Sequence, residues 1–154
     1  MRLRPVEPAD LEHFFAHQQD PDANIMAAFS ARNPSDRSVF DYHWGRMLRD
    51  PKIEVRTIEH DGEVAGSIVM AFHDDYAELS FWTAKEFWNQ GVTTAAVEAM
   101  LEEFPQRPVR ASVVSDNVGT HKILEGRGFK QIGQTQDFSN AREEIVSEDH
   151  FELS

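Results

Sequence analysis

Tyr76-Ala77-Glu78-Leu79-Ser80-Phe81-Trp82-Thr83, followed by Phe87-Trp88-Asn89-Gln90-Gly91-Val92-Thr93-Thr94, decides how the chain is read. In the first segment Ala77, Leu79 and Phe81 alternate with Glu78, Ser80 and Trp82, the period of a strand with two differently used faces. In the second, Gly91 stands between polar residues. Val92, Ala96, Val97, Met100, Leu101 and Phe104 then recur at helical spacing up to Pro105. A strand that turns into a helix in this way leaves the first helical N–H groups unpaired and pointing outward. With the helix dipole added, they form a seat for a phosphate or pyrophosphate. The two phosphate loops with fixed glycine spacing are missing: there is no GxxxxGK[ST], and no GxGxxG follows a strand.

The rest of the chain sets bounds around this stretch. A length of 154 residues with 40% hydrophobic side chains suits a single domain, 1–154, with one core. No apolar run approaches the length of a membrane span, and Met1-Arg2-Leu3-Arg4-Pro5 has no apolar signal core. A cytosolic (cytoplasmic) protein without a membrane partner is expected, as monomer or homodimer. The absence of cysteine removes disulfides, thiolate zinc sites and cysteine nucleophiles. No pair of histidines sits at a ligand spacing with a third ligand nearby, so no metal is expected. With Asp+Glu 27 against Lys+Arg 15, the net charge is -12, which repels nucleic acid and permits a cationic acceptor.

Taken in order, Met1 to Val6 reads as a first strand, and Pro8 and Asp10 open a helix through Leu11, Phe14 and Phe15. Gln18 to Asn33 reads as turn-rich around the apolar patch Ile25 to Phe29. Pro34 and Asp36 open a second helix, with Val39, Phe40, His43, Trp44, Met47 and Leu48 on one stripe. Ile53, Val55 and Thr57 alternate as an outer strand, His60-Asp61-Gly62-Glu63 makes a hairpin, and Val64 to Phe72 reads as a central strand. The helix from Val92 lies between the strand Tyr76–Thr83 and a short strand Val109–Val114. Those two strands are therefore parallel, joined by a right-handed crossover. Ser115-Asp116-Asn117 supplies a cap for a helix running to about Gly126. Lys130 to Thr135 and Glu143 to Leu153 close the sheet, joined by a long polar connection through Asn140. The expected fold is α+β: a mostly antiparallel sheet, one parallel central pair, and helices on both faces.

Asn117, Thr120 three positions on, and then Leu124-Glu125-Gly126-Arg127-Gly128-Phe129 resemble the end of a GCN5-related N-acetyltransferase (GNAT). Phe87-Trp88-Asn89-Gln90-Gly91 resembles the acetyl-CoA pyrophosphate loop of the same family. Leu3-Arg4-Pro5 and Glu78-Leu79-Ser80-Phe81-Trp82 fit its branch that acetylates N-terminal amines of ribosomal proteins. The resemblance implies that the two parallel strands splay and that the pantetheine arm lies in the V between them. It implies that Phe81, Trp82 and Thr83 pair with the arm, and that Trp88, Asn89, Gln90, Gly91, Val92, Thr93 and Thr94 hold the pyrophosphate. It implies too that Asn117 and Thr120 face the cofactor near its sulfur. Asn89 and Thr93 stand where the family usually has small residues, so weaker binding is expected. Leu124 stands among the cofactor-binding positions, where many members carry a tyrosine that protonates the leaving thiolate. Thr120 matches the hydroxyl residue of the branch without that tyrosine.

Acetyl transfer to an amine needs a neutral nucleophile, and an α-amine has a reference pKa near ~8 against ~10.4 for lysine. A thiol leaving group titrates near ~8.5, so one hydroxyl hydrogen bond, from Thr120, goes far toward steadying it. Glu78 is the candidate base, directly or through water, because Ser80 and Trp82 share its strand face. His43, His73 and His121 are the other groups able to serve. Two activities fit this reading: an acetyl-CoA-dependent amine N-acetyltransferase, and a silent acyl-CoA-binding module. The acceptor in the first is a small amine or a protein N-terminus, in a pocket walled by Ile25 to Phe29 and the helix around Trp44.

Overall fold

A computed structural model describes residues 1–154. Seven strands, β1 (Arg2–Arg4), β2 (Ile53–His60), β3 (Glu63–Phe72), β4 (Ala77–Thr83), β5 (Val109–Val114), β6 (Lys130–Ser139) and β7 (Glu144–Leu153), form one sheet. Its order is β1-β2-β3-β4-β5-β7-β6. Every neighbouring pair is antiparallel except β4 and β5. The single parallel pair flanks helix α4 (Val92–Glu103), as a strand–helix–strand unit requires.

Helices cover both faces because the strands alternate. On one side Val55 and Val69 meet Phe14 of α1 (Pro8–His17) and Phe40 and Trp44 of α3 (Arg37–Arg49). On the other, Ile68, Met70, Leu79 and Ala111 pack against Ala96, Val97 and Met100 of α4 and Leu124 of α5 (Val118–Gly126). Asp10, 2% exposed, ties three elements together. It receives a two-pronged contact from Arg4, a bond from the Thr57 hydroxyl and one from the Glu7 N–H. Burial alone would raise this carboxyl, but those donors hold it below its usual value.

Three expectations are corrected. Within the stretch expected to be turns lies a helix, α2 (Pro21–Ala27), whose cap Asp20 accepts from the Asp22 N–H with Pro21 at the first helical position. The strand Ile53–His60 is not the outer strand, because β1 pairs with its far half at Thr57–Glu59. Finally, β6 runs on to Ser139, so a short turn replaces the long polar connection. Pairing with β7 extends that strand although nearly all of it is exposed, which side-chain alternation does not reveal.

Candidate active site

The parallel pair is brief: β4 and β5 are in register only at Ala77–Val109 and Glu78–Arg110. Beyond Glu78 the strands part, and β4 keeps β3 on one edge while its other edge has no partner. A cleft of ≈ 600 Å³ opens there, walled by Phe81–Thr83, the loop and start of α4, and the start of α5. Phe81, Trp82, Thr83, Trp88, Asn89, Gly91, Val92, Thr93, Thr94, Asn117 and Thr120 all line it. These eleven residues, drawn from three separate stretches of chain, are among the thirteen that the family resemblance implies for one ligand.

Local chemistry fixes the loop. Gly91 caps α4 at φ 77 with no side chain bonded to the first turn, which leaves those N–H groups free. Asn89 is also left-handed at φ 61, so the chain turns sharply on both sides of Gln90. The Trp88 indole N–H bonds the Thr83 carbonyl at 2.8 Å, and the Thr83 and Thr93 hydroxyls share a bond of 2.9 Å. Thr93 thus turns its hydroxyl toward the end of β4. An unpaired strand edge, free N–H groups at a helix start and a cleft joining them fit an extended thioester carrier bearing a diphosphate.

Gln90, Leu124, Glu78 and His73 fall outside that lining, as do His43 and His121, described below. Gln90 bonds the Glu86 carbonyl with its side chain. Leu124, 1% exposed, packs in the core among Val97, Met100 and Phe129. Glu78 is exposed on the strand face of Ser80 and Trp82 but lines neither the cleft nor the neighbouring cavity. His73 stacks on Tyr76, also away from the cleft.

A second cavity, ≈ 740 Å³, lies between β3–β4 and the helices α1 and α3. Phe14, Phe29, Phe40, Trp44 and Met47 line it, with Ser67, Ser80, His17 and His43. Phe81 and Trp82 line both cavities, so the two spaces meet at the end of β4. Of the walls read from sequence, Phe29 and Trp44 are here, while Met26 and Ala27 line the cleft instead. His17 is pushed below its usual value by burial and by His13.

Sequence reading missed a polar knot behind Thr120. His121 Nδ1 lies 2.7 Å from the Asn117 carbonyl oxygen, and Nε2 lies 2.8 Å from Asp149 Oδ2. Both partners accept only, so both ring nitrogens carry hydrogen and the ring is an imidazolium. Asp149, 6% exposed, also accepts from the Ser115 hydroxyl and the Gln134 amide. Burial alone would lower His121 and raise Asp149; the bonds outweigh it, moving His121 up and Asp149 down. The Asn117 side chain accepts from the Thr120 N–H, so this knot and that cap together fix the first turn of α5. Glu148, across β7 on the face of Glu78, is a further carboxyl pushed up, first by burial and then by Asp137 and Glu78 against His150.

The Acetyltransferase (GNAT) domain family matches residues 1–130, and the chain belongs to that family. It is 28% identical over 120 residues to "Putative ribosomal N-acetyltransferase YdaF" of Bacillus subtilis (strain 168). That match takes in 71% of this chain and 66% of the relative, so the chain spans just under two-thirds of the relative's length. Among solved structures, the ribosomal-protein-alanine N-acetyltransferase of Brucella melitensis superposes with a TM-score of 0.83 at 18% identity, covering 99% of both chains. Spermidine N-acetyltransferase of Vibrio cholerae, crystallised with CoA and spermine, gives 0.84 at 12%, over 99% of this chain and 94% of that one. At these identities the likeness is one of fold.

Proposed function

We propose that this chain is an acetyl-CoA-dependent N-acetyltransferase in which a primary amine attacks the thioester directly, both substrates being bound at once. The meeting of two cavities at Phe81 and Trp82 carries this reading, since each substrate then has its own space and one shared boundary. The N–H groups at the start of α4 hold the diphosphate and the free edge of β4 holds the pantetheine amides. Acetyl-CoA supplies the thioester carbon; a C–N bond forms and the C–S bond breaks.

The walls favour an amine that is already partly neutral. The carboxylates lining the two cavities are engaged: Asp36 caps α3, and Asp116 pairs with Arg142. At pH 7 roughly one α-amine in ten is neutral, against roughly one lysine-like amine in 2,500. An α-amine, of a small molecule or a protein N-terminus, is therefore the better acceptor. Glu78 takes the departing proton through water, since it lies outside the lining, and the Thr120 hydroxyl steadies the thiolate.

Release of free thiol from acetyl-CoA on adding an amine tests the activity. Thr120→Val should lower kcat roughly tenfold to a hundredfold at all pH values, the worth of one bond to developing charge, while Thr120→Ser keeps most activity. Glu78→Gln should lose most at low pH and recover partly as pH rises. Acetyl-CoA binding without thiol release for any amine would make the chain a silent acyl-CoA-binding module instead.

A further inference from the structure

The acceptor cavity is built from large apolar side chains. Phe14, Phe40 and Trp44 form one aromatic cluster, with Phe14 and Trp44 stacked at 4.8 Å and Phe40 and Trp44 at 6.0 Å between centroids. Phe29 and Met47 extend this wall, and Trp82 closes it against the cofactor cleft. The fixed charges of the lining cancel, with one carboxylate, Asp36, against one guanidinium, Arg32. The cavity's one carboxylate, Asp36, accepts from the Val39 N–H and the Ser38 hydroxyl at the head of α3. Its other charged wall residue, Arg32, repels a cation. Of the 27 acidic residues only Asp36 lines this cavity, and Arg32 offsets it.

We propose that the acceptor is a monoamine with a bulky aromatic or aliphatic body and no second cationic group, its body seated on the Phe14–Phe40–Trp44 wall and its amine directed to Phe81 and Trp82. This rests on the transferase reading but selects among its acceptors. Aminoacyl compounds with a large apolar side chain fit, whereas polyamines and compounds with a small side chain do not. Burial of a benzyl group against such a wall strengthens binding by about tenfold to a hundredfold over a methyl group.

The test separates binding from transfer. Protein saturated with CoA, which cannot react, is titrated by calorimetry at pH 8 with phenylalaninamide, alaninamide and spermidine. Phenylalaninamide should bind at least tenfold more tightly than either of the others. Equal or tighter binding of alaninamide or spermidine overturns the proposal, and so does binding of none of the three. Thiol release from acetyl-CoA is then followed with the same amines. Tight phenylalaninamide binding with no thiol release leaves the cavity's preference standing and removes the transferase reading. Fastest release with spermidine does the opposite. Val39→Glu adds a carboxylate to the cavity at a position 57% exposed on α3, where the fold tolerates it. It should raise spermidine affinity relative to phenylalaninamide by at least tenfold; an unchanged ratio places the acceptor elsewhere.

Discussion

Replacing His121 by Phe keeps a ring against Phe151, which now meets it edge-on at 5.2 Å, and removes both N–H donors. Two charge-assisted bonds are lost, to the Asn117 carbonyl and to Asp149. Each is worth about 1.5–3 kcal/mol. The loss is partly offset, because Asp149 keeps Ser115 and Gln134 and no cation needs to be desolvated. A net cost of about 2–3 kcal/mol follows. With an unfolding entropy of ~2.1 cal/mol/K per residue over 154 residues, that lowers Tm by about 6–9 °C.

The gap between wild type and variant must depend on pH in a particular way. His121 is raised in the folded state, so its contribution is complete below the unfolded value near ~6.5 and fades as pH climbs through the raised one. Asp149 is lowered, so its share is complete above ~3.9 and fades only as pH falls through the lowered one. Glu125 and Asp116 also face the imidazolium and act with Asp149 to hold its proton. Thermal melts followed by circular dichroism from pH 4 to pH 10 should show the largest gap from about 4 to 6.5, shrinking in alkali. CoA affinity, measured alongside, should weaken in the variant, because the first turn of α5 carries Asn117 and Thr120. A gap equal at pH 6 and pH 9.5, or no gap, would refute the imidazolium.

Two further substitutions probe the walls. Gly91→Val puts a β-branched residue at φ 77, and nothing lies within 4 Å of the new Cβ, so about 1–2 kcal/mol of backbone strain and no clash is expected. CoA affinity should fall at least tenfold, and a folded variant with unchanged calorimetric affinity takes the loop out of the site. Gly66→Ala places a Cβ 2.0 Å from the Trp82 carbonyl oxygen, a backbone atom that cannot swing away. It should cost about 3 kcal/mol or more and melt about 9 °C or more below wild type; an undisturbed melt would mean that β3 and β4 are not this close.

The parts legible in the sequence are those where one short stretch holds the whole signal. The alternation of β4, the left-handed Gly91 and the apolar stripe of α4 are each local, and their order alone forces the parallel pair. Helix α2 escaped because seven residues give two turns and no stripe, and Asp20-Pro21-Asp22 serves a turn as well as a cap and a first helical position. Gln90, Leu124 and Glu78 show a second limit. Spacing assigns a side chain to a face, but the extent of a cavity along that face depends on distant elements. Here the second cavity begins at Ser80, two residues past Glu78. The bond between His121 and Asp149 spans 28 residues and is invisible to any period.

On the proposed reading the end of β4 borders both substrate spaces, since Phe81 and Trp82 line both cavities. Its inner edge is paired with β3, and the close approach permitted by Gly66 sets how near Trp82 comes to that strand. Its outer edge is free because β5 departs after Arg110. Its tip is held by Trp88 and Thr93, which bond the loop and first turn of α4 to the end of the strand. Its face carries Ser80 and Trp82 toward the aromatic cavity. On the proposed reading the separation between amine and thioester is set by backbone, through a strand held on its inner edge and at its tip, while the acceptor's identity is left to side chains on α1 and α3. A change of acceptor needs no change in β4, and substitutions at Phe14, Phe40 or Trp44 should alter which amine is taken before they alter how the acetyl group is held.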